Sequence, residues 1–320
     1  MLYLEELLES TIAEEGQSLM GLDFLIKTLE LSMNQIELIF KKALMEYSER
    51  RPMKKTSIVR TFDYSDGDAG YITMPEGTTS CRIARYGILP NQMPRYYMPS
   101  FSEQSVEFDP TDLSCRVWPP VVPLRLTYTQ RYMPTTSVLI EKTINIPYET
   151  DEYEFILDTM YAGKTLSFQK SVVITDPNTG EISSEILSMS PTGYVSERKV
   201  GGEIISEAVL KGTLGRGTVN LRTREVNLEL SNSSISPILV NYYPKWSVVK
   251  ELSLGDRLFN KFFASKLLQA LASLRAQATQ STLHNIDLET DDLLNRVAEL
   301  KKEIREILRS SISFGDMSPM

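Results

Sequence analysis

Apolar residues at the start of the chain recur at helical spacing. They are Leu4, Leu7 and Leu8, then Leu22, Leu25, Ile26 and Leu29, then Ile36, Ile39, Phe40, Ala43, Leu44 and Tyr47. Asn34 is positioned to cap the last of these helices. Arg51-Pro52 ends it, because the residue before a proline is pushed out of the α region. Residues 1–55 are therefore predicted to be an N-terminal helical segment.

From residue 56 to about 244 the vocabulary changes to Val, Ile, Thr, Tyr and turn residues. The run Thr56–Tyr64 alternates as a strand does, and Asp66-Gly67 follows it as a hairpin signal. Asp176-Pro-Asn-Thr-Gly180 is a stronger hairpin signal, between Ser171–Thr175 and Glu181–Leu187. Gly217–Leu230 reads as strand, turn, strand. Short strands with regular turn signals predict a sandwich or barrel. Residues 90–147 hold nine of the 16 prolines, which predicts a largely irregular, extended arm, since proline cannot donate to a sheet ladder. Trp118–Pro123 is expected to run over a surface toward a neighbour.

Residues 245–310 return to the helical period. One helix is predicted from about 246 to 280, with Trp246, Val249, Leu252, Leu258, Phe262, Leu267, Leu271 and Leu274 near one face and an interruption at Gly255. A second begins near Asp287–Asp292, where acidic residues favour a helix N-terminus, and carries Leu293, Val297, Leu300, Ile304 and Ile307. Residues 311–320 form a tail. The predicted fold class is α+β. N-terminal helices pack with a C-terminal helical hairpin, and a large, mainly antiparallel β region is inserted between them.

Of 320 residues, 42% are hydrophobic and 24% charged, enough for a real core. The net charge of −8 gives no bulk attraction to nucleic acid. Most of it lies in the first 50 residues, which hold ten acidic and four basic side chains; residues 245–310 hold 11 basic and nine acidic. No apolar run long enough for a membrane-spanning helix occurs, and the N-terminus lacks the basic start and cleavage site of a signal peptide. Synthesis in a reducing cytosol is the expectation.

One histidine and two cysteines limit the available chemistry. His284 alone cannot build a histidine metal cluster, and Cys81 and Cys115 stand 34 residues apart with no second ligand pair near. The two cysteines read as small buried hydrophobes, and His284 as a loop or cap residue. Ala162-Gly-Lys-Thr165 ends like a phosphate loop, but Asp158 stands where the first glycine is needed, so a turn is the reading. Asp63, Asp66 and Asp68 resemble a calcium loop in composition, but Met74 occupies the position of the bidentate glutamate. Arg95, Tyr96, Tyr97, Tyr128, Arg131 and Tyr132 mix aromatic and basic character; core or interface tyrosines are the reading, against a binding platform. No catalytic, cofactor-binding or metal-binding residues are predicted, no cofactor is expected, and the chain does not read as an enzyme.

Both ends of the chain resemble a known family. Asn34-Gln-Ile-Glu-Leu-Ile-Phe-Lys-Lys-Ala-Leu-Met-Glu-Tyr47 is similar to the first long helix of the neck, or head-completion, proteins of contractile-tailed bacteriophages. Gln35, Ile36, Lys41, Lys42, Ala43, Leu44 and Tyr47 fit that pattern without a gap. The Ala- and Leu-rich stretch Phe263–Leu274, the segment Glu303-Ile-Arg-Glu-Ile-Leu308, and Phe314-Gly315 resemble the family's closing helices. The resemblance covers about 85 residues, split between the ends, and leaves out the middle of the chain. It implies a virion structural protein: a head-to-tail connector subunit that assembles as a homo-oligomeric, twelve-fold ring below the portal. Its partners would be the portal protein and other neck or tail-terminator proteins. Genomic DNA would pass through the channel in passive contact with an acidic wall, and no membrane is involved. Localisation is expected in the virion, at its neck or tail, after assembly in the host cytoplasm. A baseplate or other tail subunit is the alternative, and a β-domain module binding carbohydrate or a host protein the second.

Overall fold

The computed structural model describes residues 1–16, 31–66, 68–86, 105–118, 120, 122–147, 150–175, 182–231, 237–279 and 287–315. The fold is α+β. In chain order, helices α1 (Leu4–Gly16) and α2 (Met33–Arg50) precede fifteen described strands, and helices α3 (Arg257–Thr279) and α4 (Asp287–Gly315) follow them. Every described ladder is antiparallel. The stripe Leu22–Leu29, His284 and the tip Asp176–Gly180 lie outside the described residues.

The chain compacts into two units, each built from two stretches: Met1–Lys27 with Pro134–Gly255, and Thr28–Met133 with Asp256–Met320. The first unit is a single eight-stranded sheet, ordered β8-β15-β10-β11-β12-β13-β14-β9. Its strands are β8 (Ile140–Ile144), β9 (Glu152–Ile156), β10 (Ser167–Thr175), β11 (Ile182–Val200), β12 (Glu203–Gly212), β13 (Gly215–Asn220), β14 (Glu225–Leu230) and β15 (Ile238–Tyr242). One face alternates apolar residues inward, and Phe168, Leu210, Val219, Val226, Val240 and Tyr242 are fully buried in its core. At Gly212 an added Cβ would lie 2.0 Å from the Ser188 carbonyl oxygen, so only glycine permits this approach of β12 to β11.

Helix α1 belongs to this unit and is tied to it by polar contacts. Glu5 Oε1 accepts from Thr159 Oγ1 at 2.6 Å and from the Met160 amide at 2.9 Å. Leu2 exchanges both backbone hydrogen bonds with Val249, at 2.9 and 3.0 Å. That bridge, and a second between Thr135 and Val248, corrects the expectation of a helix from residue 246. Helix α3 begins at Arg257 instead. Trp246, Val249 and Leu252 have helical spacing with α3, but they pack in the β unit. The backbone partners supplied by Leu2 and Thr135 override local periodicity there.

In the second unit, strands β1 (Met53–Val59), β7 (Leu124–Gln130) and β4 (Thr78–Tyr86) form one sheet. A four-stranded sheet, ordered β2-β3-β6-β5, contains β2 (Tyr64–Ser65), β3 (Gly70–Thr73), β6 (Ser114–Trp118) and β5 (Ser105–Asp109). The proline-rich segment is therefore less irregular than expected: β5 to β8 all fall between residues 105 and 144. The prolines sit between these strands, as at Pro110, Pro120 and Pro134, where no ladder needs their missing N–H.

Helix α2 is capped by Ser32, not Asn34. The Ser32 hydroxyl accepts from the Gln35 amide, and the Gln35 side chain accepts from the Ser32 amide, closing a capping box. The helix ends at Arg50, as the following Arg51-Pro52 requires. Its buried stripe of Ile36, Phe40, Ala43, Leu44 and Tyr47 packs on α3. Phe40 meets Phe259 edge-on at 5.8 Å, and Tyr47 meets Phe259 and Phe262 at 5.4 and 5.8 Å. Helix α4 packs along α3 through Leu293, Val297, Leu300 and Ile304, the predicted stripe. The packing of N-terminal helix on C-terminal hairpin is thus carried by α2.

Candidate interaction surface

Strand β11 is 19 residues long, about 60 Å at the usual rise per residue. The compact core of the sheet needs only its middle. Residues Ile182–Met189 pair with β10, and Met189–Pro191 and Val195–Val200 pair with β12. The register shifts between Pro191 and Val195, a bulge between the two halves. Strand β13 reaches β12 only from Glu207 to Gly212, and β15 reaches β10 only from Ser167 to Gln169. Among the described residues, two-stranded ribbons therefore extend from both ends of β11. The second turns at Gly201 and Gly202, whose φ values of 59° and 91° suit a tight hairpin.

These ribbons carry exposed apolar side chains. Val173, Ile182 and Ile186 are 68%, 76% and 65% exposed. The pairs Val173↔Ser184, Ser171↔Ile186 and Thr175↔Ile182 put all three on one face of the first ribbon. Tyr194, Val195, Val200 and Ile204 are exposed on the second. Seven large apolar groups within residues 173–204 form a concentration, where scattered single residues would need no explanation. Isolated ribbons of this kind are marginal in water, and their unpaired edges are templates for further strand pairing. Burying one exposed isoleucine stabilises a contact by about 2 kcal/mol.

Beside the bulge lies a cleft of about 260 Å³, lined by Tyr161, Lys164, Tyr194, Ala208 and Lys245 among others. Two ammonium groups and an exposed tyrosine make it suited to an acidic or aromatic side chain of a partner.

The residues singled out from sequence fall elsewhere. Ala162–Thr165 is a tight turn, closed by the Thr165 amide donating to the Ala162 carbonyl at 3.1 Å, with Gly163 at φ 55°. Asp66 Oδ1 accepts from the amides of Asp68 and Ala69, and Asp63 Oδ2 from that of Thr73. Those backbone donors hold both carboxyls below the usual carboxylate range and mark a turn. Tyr128 is buried in the core of the second unit, and Tyr132 packs on Tyr47 at 5.3 Å. Arg95, Tyr96 and Tyr97 lie outside the described residues. The structure brings Cys81 and Cys115 into one core. Among the described residues no group of three or more His, Cys, Asp or Glu could hold a metal, and no helix is long and apolar enough to cross a membrane.

The interaction surface was not read from sequence. Its hairpins were legible, but an Ile or Val on a strand looks the same whether a second layer covers it or not. No protein-family model matches the chain, and no curated protein or solved structure matches it.

Proposed function

We propose that this chain is a structural subunit that works by assembling with copies of itself, as a head-to-tail connector ring in the neck of a contractile-tailed phage. The observation that carries the assembly part is the pair of apolar ribbons at opposite ends of β11. Two contact surfaces at the two ends of one strand suit heterologous, head-to-tail association, which closes into a ring when the rotation per subunit divides a full turn. The phage-neck part rests on the resemblance of the chain ends. It is supported by their meeting in one unit, where Ile36, Ala43, Leu44 and Tyr47 of the first motif are buried as α2 packs against α3 of the second. The other expected partners, the portal and the tail-side proteins, belong to the same proposal.

Electron microscopy of the full-length protein at high concentration tests this. Closed rings with a central channel are the expected result, and twelve-fold symmetry places them below a portal. Six-fold or three-fold rings move the protein to the baseplate. Open filaments, or a monomer under all conditions including incubation with portal-containing heads, overturn the reading.

A second reading follows from the cleft beside Tyr194, where Lys164, Lys245 and Tyr161 line a concave surface. In it the β unit recognises a carbohydrate or a host protein. Binding of the full-length chain on a glycan array, lost in Tyr194→Ala, is the result that favours it.

A further inference from the structure

The first ribbon has an open edge on β11, from Ile182 to Ile186. Ser188 marks where that edge begins. Its amide donates to Thr213 Oγ1 at 2.9 Å, and its carbonyl accepts from the Leu214 amide at 3.1 Å. Both partners lie in the turn between β12 and β13, on the side of β11 away from β10. In an antiparallel ladder the backbone groups of alternate residues point the same way. Ser188, Ile186, Ser184 and Ile182 stand opposite Gln169, Ser171, Val173 and Thr175 without a register shift. The N–H and C=O groups of Ile182, Ser184 and Ile186 therefore point away from β10. Strand β12 pairs with β11 only from Met189 onward, so among the described residues no ladder reaches them. All three side chains are exposed and uncharged.

The end strand β9 of the same sheet is built differently. The Asp151 carbonyl accepts from the Leu230 amide, and the Leu157 amide donates to the Arg224 carbonyl. Glu152, Glu154 and Ile156 therefore turn their backbone groups outward. Two exposed carboxylates guard that edge against a further strand, and the β11 edge lacks any such guard at its outward positions.

We infer that two free copies of this chain associate through this edge, β11 against β11, about a two-fold axis. Ile182-Ser-Ser-Glu-Ile186 is self-complementary in the antiparallel register centred on Ser184. There Ser184 meets Ser184 of the second copy, and Ile182 meets Ile186 of the second copy. These are the residues whose backbone points outward, so each pair can exchange both hydrogen bonds. Glu185 falls opposite Ser183, whereas a register centred on Glu185 would oppose two carboxylates. Ile182 and Ile186, 76% and 65% exposed in the single chain, become cross-strand neighbours on one face of a four-stranded sheet. The other edge of the ribbon, at Ser171, Val173 and Thr175, offers one large apolar side chain per copy instead of two. A contact one strand wide is smaller than a standard interface, so the dimer is weak and appears at high concentration.

A two-fold contact closes on itself. It differs from the head-to-tail contact of the proposed ring, competes with it for the first ribbon, and describes subunits before assembly.

Cysteine cross-linking of the full-length chain, with sedimentation equilibrium, tests it. Ser184→Cys, mildly oxidised at high concentration, is expected to give a dimer joined through residue 184, read by non-reducing peptide mapping. Residues of such a hydrogen-bonded pair have Cα atoms about 5.5 Å apart, within disulfide reach. Val173→Cys is expected to give little cross-link, because the two β10 strands lie three strand spacings apart, about 14 Å. Ser184→Pro removes an outward N–H that the ladder with β10 does not use. It is expected to leave the fold intact and to weaken the dimer about tenfold or more. A monomer at every concentration, a dimer unchanged by Ser184→Pro, or cross-linking of Val173→Cys as fast as of Ser184→Cys overturns the inference. The cross-link without rings in electron microscopy removes the ring reading and keeps the two-fold contact; rings without the cross-link do the reverse.

Discussion

The Tyr47 hydroxyl donates to Asp256 Oδ2 at 2.8 Å, tying the last turn of α2 to the residue that opens α3. Asp256 Oδ1 at the same time accepts from the Phe259 amide at 3.0 Å, which caps α3. Tyr47 is fully buried, and burial together with the bond to Asp256 pushes its hydroxyl far above the usual tyrosine range, so it acts as a permanent donor. Tyr47→Phe is expected to cost about 1–2 kcal/mol, because it leaves a carboxylate oxygen without its donor while keeping the ring packing. Tyr47→Ala is expected to cost about 3–5 kcal/mol through the cavity it leaves among Phe259, Phe262 and Tyr132. Urea unfolding of the two variants checks the ordering, and equal losses would show that the hydroxyl, not the ring, dominates.

Arg224 binds α1 into the first unit. Its Nη2 donates to Glu9 Oε1 at 2.5 Å and its Nη1 to the Asp158 carbonyl at 2.8 Å. Glu9 is mostly exposed and Arg224 is buried, so the two halves of the contact are unequal. Glu9→Ala is expected to cost no more than about 1 kcal/mol. Arg224→Ala is expected to cost about 2–3 kcal/mol, since it strips a partly buried carbonyl of its charged donor and its backbone keeps φ at 65° without compensation. A double-mutant cycle with hydrogen-exchange readout on residues 4–11 separates the terms.

Acidity is expected to act with opposite sign on two glutamates. The Lys261 ammonium donates to Glu303 between α3 and α4 and holds its carboxyl below the usual range, with Arg296 nearby. A depressed folded-state value means that the contribution is present above the unfolded glutamate value, about 4.3, and is lost as pH falls through the folded one. Burial, with Asp158 close by, pushes Glu6 up. Its ionised form therefore opposes folding at neutral pH, and that opposition fades as pH falls through the raised value. Glu303→Gln should be less stable than wild type at pH 7, the gap closing below about pH 4. Glu6→Gln should be at least as stable as wild type at pH 7. Denaturant midpoints measured across this range decide both signs.

The ribbons predict a separation of folding from assembly. Ile182→Asp with Ile186→Asp places charge on an exposed face, so the monomer's stability should change by less than about 0.5 kcal/mol. Self-association, measured by sedimentation or mass photometry, should weaken at least tenfold. An unchanged association constant would show that this face is not used.

Much of the architecture was legible in the chain because it depends on near neighbours. The stripe from Ile36 to Tyr47, the stop at Arg51-Pro52, the pairing of Tyr64–Ser65 with Gly70–Tyr71, the hairpin within Gly217–Leu230, and the stripe from Leu293 to Ile304 all occur where the local pattern placed them. Trp246–Leu252 failed for a non-local reason: its backbone donors and acceptors are satisfied by Leu2 and Thr135, more than a hundred residues away in sequence. Residues 90–147 were read as largely irregular from proline content, yet strands run between residues 105 and 144 and the described prolines there fall between them.

By itself, then, the sequence determined the types and order of the elements, the capping and breaking signals, and the poverty in histidine and cysteine. Those follow from local backbone preference and side-chain chemistry. The tertiary structure decided that α2 and the C-terminal hairpin share one unit while α1 joins the sheet of the other. It decided that two cysteines 34 residues apart share one core, and that Val173, Ile182 and Ile186 remain in water. Exposure and proximity depend on which distant segment comes to cover a face, and no window along the chain contains that segment.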